Sequence, residues 1–246
     1  MVNKNLYIRI AFCLFGFMLL LNIVDNFVSY RAEYNIKKFM LYESKYLNFD
    51  YTRNYITISS KNNNMESKFG LIFSPGAFIK EDAYLPILSE LSKRGIKIYI
   101  LKSSLFGVGD MSSILLKSNI KNYILVGHSF GGSKLLNYLK QENKYLELVK
   151  GVVLLSSYGQ NSQNFSGSNI KFISVVGSDD KIINFEKYEN YKNNLPSSTK
   201  YLYIDGGNHS YFGNYGLQYG DSEGLISREL QQFIVIREIL KLLEEI

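Results

Sequence analysis

The chain has 246 residues, of which 46% are hydrophobic, 15% aromatic and 20% charged, a composition typical of globular proteins rather than disordered ones. Its 28 basic and 22 acidic residues give a net charge of +6, but the basic residues are scattered and do not indicate a nucleic-acid partner. A single cysteine, Cys13, excludes an internal disulfide and a multi-cysteine zinc site. Any mechanism that needs an imidazole must use His128 or His209.

The N-terminus is apolar over residues 10–24, with Lys4 and Arg9 before this run. Counted from residue 6, with Arg9 reaching the interface, the run approaches the roughly 20 residues of a spanning helix. No small-residue cleavage site follows it, which disfavours the alternative of a cleaved signal peptide. We therefore expect residues 1–24 to be a membrane anchor, with residues 6–24 in the bilayer and Cys13 packed there.

A short basic N-terminal tail normally stays inside, which places the rest of the chain outside the cytoplasm. Basic residues after the apolar run, Arg31, Lys37 and Lys38, weaken this orientation signal. The expected location is the cell membrane, through a single-pass N-terminal anchor, and the alternative is secretion after cleavage.

Residues 25–50 are polar and aromatic, with apolar positions loosely at helical spacing. We interpret this segment as a connecting helix or stalk, and we expect it to pack on the domain rather than to contact a partner. The domain itself is expected over residues 51–246.

Apolar strands and amphipathic helices alternate from about residue 55 onward. Strands are predicted at residues 55–60, 69–74, 96–101, 123–127, 151–157, 171–177 and 202–204. Helices are predicted at residues 81–93, 111–118, 131–141, 181–194 and 226–246. Because the strands are continuously apolar, the pattern predicts an α/β fold whose mostly parallel sheet has helices on both faces. Ligands of such sheets bind at the carboxyl ends of the strands.

A G-x-S-x-G motif, residues 127–131, lies between one predicted strand and the following predicted helix. This context suits a nucleophile elbow, in which a strained turn exposes the hydroxyl of Ser129 and the glycines avoid collisions. The start of the helix also presents free N–H groups to a developing oxyanion.

A nucleophilic serine needs a base, and the base needs an orienting acid. His128 adjoins Ser129 with its side chain projecting away, so we interpret it as a packing residue, which leaves His209 as the base. Asp180 is the favoured acid because it follows another predicted strand, and Asp179 is the alternative. Asp205 is too close to His209 along the chain to reach its ring easily.

The oxyanion hole requires two N–H groups. The first is expected from Phe130, directly after the nucleophile. The second is expected from the turn after the strand at 69–74, where Ala77 is favoured and Phe78 is the alternative.

These motifs resemble those of the α/β-hydrolase superfamily over about 190 residues, from residue 55 to the C-terminus. Four segments match in the order of the family: SPGAF (74–78), GHSFGG (127–132), GSDDKI (177–182) and GGNHSYFG (206–213). The run 206–232 further resembles a small lidless group, the dienelactone-hydrolase-like or carboxymethylenebutenolidase-like proteins. Dienelactone hydrolases use a cysteine nucleophile, so Ser129 suggests shared ancestry and not that substrate. The serine also argues against epoxide hydrolases and dehalogenases, which have aspartate there.

Only 13 residues separate Ser157 from Lys171, where many α/β-hydrolases insert a cap. The site is therefore expected to be open and to favour small esters or exposed acyl groups. Aromatic residues on the surrounding loops are expected to line the substrate pocket, with ordinary loop packing as the alternative: Phe78, Phe106, Phe130, Tyr158, Tyr211 and Phe212.

The sequence thus predicts a membrane-anchored serine hydrolase that cleaves a small-molecule ester or acyl substrate through a Ser-His-Asp triad. An amidase, peptidase or thioesterase with the same residues is the enzymatic alternative, and a non-catalytic binding protein is another. No metal or cofactor is implied, no nucleic-acid partner is expected, and the oligomeric state stays open.

Overall fold

One mixed sheet of eight strands organises the computed structural model, which describes residues 28–62, 68–102, 111–141 and 143–246 and single positions at 7, 9, 10, 12, 13, 15 and 16. The strands are β1 (Leu47–Tyr51), β2 (Tyr55–Ser60), β3 (Phe69–Ser74), β4 (Lys97–Leu101), β5 (Asn122–His128), β6 (Val149–Leu155), β7 (Lys171–Gly177) and β8 (Lys200–Ile204). Their order is β1-β2-β4-β3-β5-β6-β7-β8. Pairs β1–β2 and β2–β4 are antiparallel, and all the other pairs are parallel.

Helices cover both faces of this sheet, as predicted. Those within the described residues are α1 (Ile36–Glu43), α2 (Leu85–Ser92), α3 (Met111–Lys117), α4 (Phe130–Gln141), α5 (Phe185–Tyr191) and α6 (Arg228–Glu244). One apolar core joins the sheet to α2 and α6, and another joins it to α3 and α4. Central strands are buried on both sides, which explains their continuous apolar sequences.

The segment interpreted as a connecting helix or stalk, residues 25–50, packs on the domain in its second half. Strand β1 pairs along its whole length with β2, and partly buried side chains of α1 (Ile36, Phe39 and Met40) pack on the core. Only Leu47 of β1 is buried, because β1 is an edge strand, so its sequence carries little apolar signal. The domain therefore begins before residue 51.

Two predicted helices are shorter than expected. The helix predicted at 81–93 starts as a 3₁₀ turn, Glu81–Tyr84, before α2 begins. The helix predicted at 181–194 starts only at Phe185, because the side chain of Asn184 caps the N–H of Lys187 at 2.9 Å. Residues 181–184 instead form a turn beside the candidate site.

No cap domain interrupts the sheet between β6 and β7. Residues 156–170, between β6 and β7, are all described and contain neither helix nor strand. Most of the predicted anchor, residues 6–24, lies outside the described residues. Among the residues described, none of the helices combines the length and the apolar character that a membrane crossing requires.

Residues 28–34, here called the N-terminal strap, cross the carboxyl edge of the sheet. The N–H of Tyr30 donates to the carbonyl of Phe78 at 2.7 Å, and the N–H of Lys80 donates to the carbonyl of Tyr30 at 3.0 Å. Further along, the N–H of Glu33 donates to the carbonyl of Asn214 at 3.0 Å. The strap therefore joins the loop after β3 to the loop that follows His209.

Candidate active site

Ser129 lies in the turn between β5 and α4 with a φ of +52°, a left-handed conformation that is strained for a residue with a side chain. Three hydrogen bonds hold it there. Its N–H donates to the carbonyl of Leu155 at 2.8 Å. Its own carbonyl accepts from the N–H of Gly132 at 3.0 Å and from Oγ of Ser157 at 2.6 Å. The surrounding structure thus imposes the conformation expected of a nucleophile elbow.

Glycines let the turn approach its neighbours closely. A Cβ atom at Gly131 would lie 2.1 Å from the carbonyl oxygen of Ser74, and one at Gly127 would lie 2.4 Å from Cα of Gly132. Since real Cβ atoms do not come so close to backbone atoms, both positions require glycine. Close packing of the backbone therefore explains why glycine occupies both positions of the motif.

Asp180 and His209 meet at the ends of β7 and β8. His209 Nδ1 lies 2.7 Å from Asp180 Oδ2, and both residues are buried. The other carboxylate oxygen of Asp180 accepts the N–H groups of Ile182 and Ile183, each at 2.8 Å. Asp180, and not Asp179, is thus the carboxylate that the structure brings to His209.

Asp180 is a buried group held in its ionised form. Burial acts to raise its pKa, but the hydrogen bond and charge of His209, together with the N–H of Ile183, outweigh burial and lower the pKa below its ordinary value. An ionised carboxylate at Nδ1 leaves the proton on that nitrogen and the lone pair on Nε2. His209 is therefore arranged to accept a proton at Nε2.

Nε2 of His209 is buried and has no hydrogen-bond partner among the described residues. His209 and Ser129 line the same cavity of about 190 Å³. The complete lining is Ser129, Phe130, Ser133, Ser156, Ser157, Tyr158, Ile182, Ile183, Asn184 and His209. The candidate base and the candidate nucleophile thus line one small cavity, here called the chamber.

The expected oxyanion donors come from two segments that pack on each other. Phe130 is the first residue of α4, where main-chain N–H groups have no partner within the helix. The loop that holds Ala77 and Phe78 starts at Ser74 and Pro75, whose carbonyl oxygens touch the elbow at Gly131. Phe78 is itself strained, with a φ of +56°. Both expected donor segments therefore lie beside Ser129.

His128 is more than the packing residue that we expected. It is fully buried, and its Nε2 lies 3.1 Å from the carbonyl oxygen of His209. A carbonyl only accepts, so Nε2 carries the proton and Nδ1 accepts from the Tyr84 hydroxyl at 2.8 Å. Burial and the neighbouring His209 lower the pKa of His128 well below its ordinary value, so it stays neutral.

The comparison with protein families adds an independent observation. The family model described as "Alpha/beta hydrolase family" matches residues 70–233, which is two thirds of the chain. The chain belongs to the alpha/beta hydrolase family. No curated protein matches it closely enough to report.

Solved α/β-hydrolase structures share the fold of this chain at low sequence identity. A soluble variant of monoglyceride lipase from Saccharomyces cerevisiae has a TM-score of 0.56 and 13% identity, and the match covers 80% of this chain and 95% of that one. A carboxylesterase from Bacillus subtilis has a TM-score of 0.56 and 12% identity, covering 85% and 98%. A ferulic acid esterase from Streptomyces cinnamoneus has a TM-score of 0.60 and 12% identity, covering 76% and 69%.

The aromatic residues expected around the pocket of this α/β-hydrolase divide into three groups. Tyr158 and Phe130 line the cavity, and Phe78 is exposed on the loop that holds the expected oxyanion donor. Phe106 lies outside the described residues. Phe212 and Tyr211 do not line the cavity: Phe212 is fully buried with its ring 5.4 Å from that of His128, and the Tyr211 ring lies 5.3 Å from the guanidinium of Arg228.

Phe212 and Tyr211 lie outside this cavity for a physical reason. The 3₁₀ turn Ser210–Phe212 directs the chain after His209 back onto the core. Proximity in sequence to the base therefore did not mean proximity to the substrate. The narrower resemblance to dienelactone-hydrolase-like proteins stays a hypothesis.

Polar residues missed by the sequence analysis make up much of the chamber: Ser133, Ser156, Ser157 and Asn184. Ser156 has a strained φ of +43° and directly follows β6. Its place at the carboxyl end of a parallel strand was the signal that could have identified it.

Proposed function

We propose that this α/β-hydrolase is a serine hydrolase that cleaves carboxylic esters through an acyl-enzyme. The observation that carries the proposal is the buried Asp180–His209 pair, whose Nε2 is unpartnered in the chamber that Ser129 also lines. These are the nucleophile, base and orienting acid that acyl transfer needs, supplied from the ends of three parallel strands.

In the proposed reaction, Oγ of Ser129 attacks the acyl carbon while His209 Nε2 takes the hydroxyl proton. The N–H groups of Phe130 and Ala77 hold the negative charge that develops on the carbonyl oxygen, and each such donor typically contributes about 3 kcal/mol. His209 then gives its proton to the departing alcohol. Water, activated by the same imidazole, attacks the acyl-enzyme and releases the acid and free Ser129.

Two further observations favour small esters. The chamber of about 190 Å³ is smaller than the pockets of roughly 300 Å³ or more that hold drug-sized ligands. The three solved structures named above carry the names of enzymes that act on esters, namely a lipase and two esterases. An amide or thioester would pass through the same acyl-enzyme, so ester cleavage is proposed from these names and from the chamber's size.

Labelling of the purified protein with a fluorophosphonate probe tests the proposal. Labelling should be complete in the wild type and absent in Ser129→Ala and in His209→Ala, because the other histidine, His128, already has both ring nitrogens in hydrogen bonds. Ser133→Ala is the matched control, because Ser133 lines the same chamber but is not the proposed nucleophile. This variant should still be labelled, at Ser129. Labelling that persists in Ser129→Ala, or an intact protein that fails to label from pH 6 to 9, would refute the mechanism. A series of p-nitrophenyl esters then ranks acyl lengths.

We also propose that residues 6–24 anchor the enzyme in the cell membrane with its catalytic domain outside the cytoplasm. The support is the apolar sequence of these residues and the absence of a small-residue cleavage site after them. Intact mass of the membrane-extracted protein tests this. The full mass supports the anchor, and loss of about 25 to 32 residues would show a cleaved signal peptide instead.

A further inference from the structure

The N-terminal strap lies on the rim of the candidate active site. Besides its main-chain bonds to Phe78 and Lys80, its Tyr30 hydroxyl accepts the N–H of Tyr219 at 2.7 Å. The loop that holds Tyr219 is bound in turn next to the proposed base. The N–H of Gln218 donates to Oγ of Ser210, the residue after His209, at 3.0 Å. The strap therefore contacts the loop after β3 that holds Ala77 and Phe78, here called the oxyanion loop. It also contacts the loop that follows His209.

The apolar N-terminal run ends close to this rim. Residue 24 is the last residue of the run, and Val28 is the first residue of the strap. Four residue steps span at most about 14 Å even when fully extended. The last residue of the run must therefore lie within that distance of the strap.

Large apolar side chains are exposed around the same rim. They come from the strap, the oxyanion loop, the residue after the nucleophile and the loop after His209: Val28 (55% exposed), Phe78 (38%), Phe130 (50%), Leu217 (37%) and Tyr219 (97%). Exposed apolar groups on segments around one site mark an interaction surface, and aromatic residues are typical of membrane interfaces.

We infer that this rim rests on the surface of the lipid bilayer, so that the active site opens toward the membrane and takes ester substrates from it. The inference rests on the proposed function and anchor. The bilayer is the occupant favoured over a protein partner because the apolar run brings it within a few residues of the rim.

The substrate class follows from the chamber. A space of about 190 Å³ lined largely by serine, asparagine and isoleucine holds the smaller side of an ester. A long hydrocarbon chain on the other side of the ester would stay in the bilayer, against the apolar rim. We therefore assign the enzyme lipid esters whose scissile bond lies at the membrane surface and whose smaller group is short.

A depth-quenching experiment on the full-length protein in phosphatidylcholine vesicles tests the orientation. In a Cys13→Ser background, Tyr219→Cys places an environment-sensitive fluorophore on the rim, where the side chain is almost wholly exposed. Asn169→Cys is the matched control, because Asn169 is exposed just before β7 begins, at the opposite edge of the sheet. Lipids with a nitroxide near the headgroup should quench the label at 219 and leave the label at 169 unquenched. Equal quenching at both positions, or none at 219, would overturn the inference.

Hydrolysis of two esters by the same protein tests the substrate class. Leu217→Asp combined with Tyr219→Asp should lower kcat/KM for a fluorogenic ester embedded in the vesicles by at least about tenfold relative to a water-soluble p-nitrophenyl ester, because the charges weaken contact with the bilayer. An unchanged ratio would overturn the assignment. A protein that hydrolyses neither ester but shows quenching only at 219 refutes the proposed function while keeping the orientation, so the two failures are distinguishable.

Discussion

Single carboxylates decide how well the proposed base works. Asp179 and Asp180 are neighbours after the same strand, and their sequence pattern left the choice between them open. Only folding separates them: Asp180 is buried against His209, whereas the N–H of Asp179 serves the carbonyl of Gly207 at 2.8 Å and its side chain is partly exposed. A difference of one position in a turn is thus a difference between an orienting acid and a loop residue.

Asp180→Asn should lower kcat for a p-nitrophenyl ester by about 10³- to 10⁴-fold, because an amide cannot hold His209 in the tautomer with a free Nε2. Asp179→Asn is the matched control and should stay within about twofold of the wild type, as expected for a side chain without a partner role. Steady-state kinetics near pH 7.5 measure both. Comparable losses in the two variants would contradict the assignment.

Tyr84 connects the two halves of the site through the core. Its hydroxyl donates to His128 and accepts the N–H of Gly76 at 3.3 Å, while His128 donates to the carbonyl of His209. The loop that carries the expected oxyanion donor and the loop that carries the base are thus joined by one chain of buried hydrogen bonds. Sequence patterns could not reveal it, because Tyr84 and His128 are 44 residues apart.

Tyr84→Phe should lower the free energy of unfolding by about 2 to 3 kcal/mol, since it leaves the buried Nδ1 of His128 and the N–H of Gly76 without partners. Tyr99→Phe is the control, because its hydroxyl is partly buried and its contact with Ser118 is long, at 3.4 Å. Urea denaturation at pH 7 gives both values. Equal effects of the two substitutions would show that the buried chain adds nothing to stability.

At the scale of elements, the sequence predicted the interior of the sheet better than its edges. Strands β3 and β7, which are covered on both faces and consist largely of apolar residues, have the predicted bounds, as does β2, whereas β6 begins and ends two residues before its predicted bounds. Strand β1 was missed, and β8 was predicted two residues too short at its start, because both are edge strands with mixed exposure. A hydrophobic pattern in the sequence indicates which residues are buried. Edge strands bury few residues, so their pattern is weak.

Helix α6 is fastened to the edge strand β8 through Glu238. This buried carboxylate binds Lys200 of β8, and it also contacts Lys241 and Arg237, each at 3.1 Å. Burial opposes its ionisation, but the hydrogen bonds from Lys200 and Lys241 outweigh burial and lower its pKa from 4.5 to about 2. A lowered pKa in the folded state means that the ionised form stabilises the fold above pH 4.5, and that this stabilisation is lost as the pH falls through about 2.

Glu238→Gln should therefore reduce the free energy of unfolding by about 1 to 2 kcal/mol at pH 7, given that its partners are half exposed, and by little at pH 2. Glu244→Gln, at the exposed end of the same helix, should have little effect at either pH. Urea denaturation between pH 2 and pH 7 measures the difference. A loss of stability at pH 2 as large as that at pH 7 would contradict this role of the carboxylate.

At the scale of the whole molecule, the N-terminal strap joins distant parts of the chain around one site. The sequence placed Ser129, Asp180 and His209 at one edge of the sheet, because parallel strands end together there. It gave no sign that residues 28–34 would cross that edge. Contacts of this kind depend on tertiary packing, and no local pattern of residues encodes them.

Removal of residues 1–34 should lower the stability of the remaining fragment by about 2 to 4 kcal/mol relative to a fragment that lacks only residues 1–27, because main-chain bonds to Phe78, Lys80 and Asn214 are lost. Fluorophosphonate labelling should also slow, since the oxyanion loop loses its hydrogen bonds to Tyr30. Thermal unfolding and labelling rates compare the two fragments. Equal rates would show that the oxyanion loop keeps its conformation without the strap.

The strap also bears on the order in which the molecule is completed during synthesis. Tyr30 bonds to a residue 189 positions later, and Glu33 pairs with Arg228, 195 positions later. Contacts of such sequence separation form late in folding, and here they cannot form until residue 228 has left the ribosome. The entrance to the proposed site is therefore assembled last, after the sheet that supports it, so a prematurely ended chain would retain Ser129 without a finished entrance.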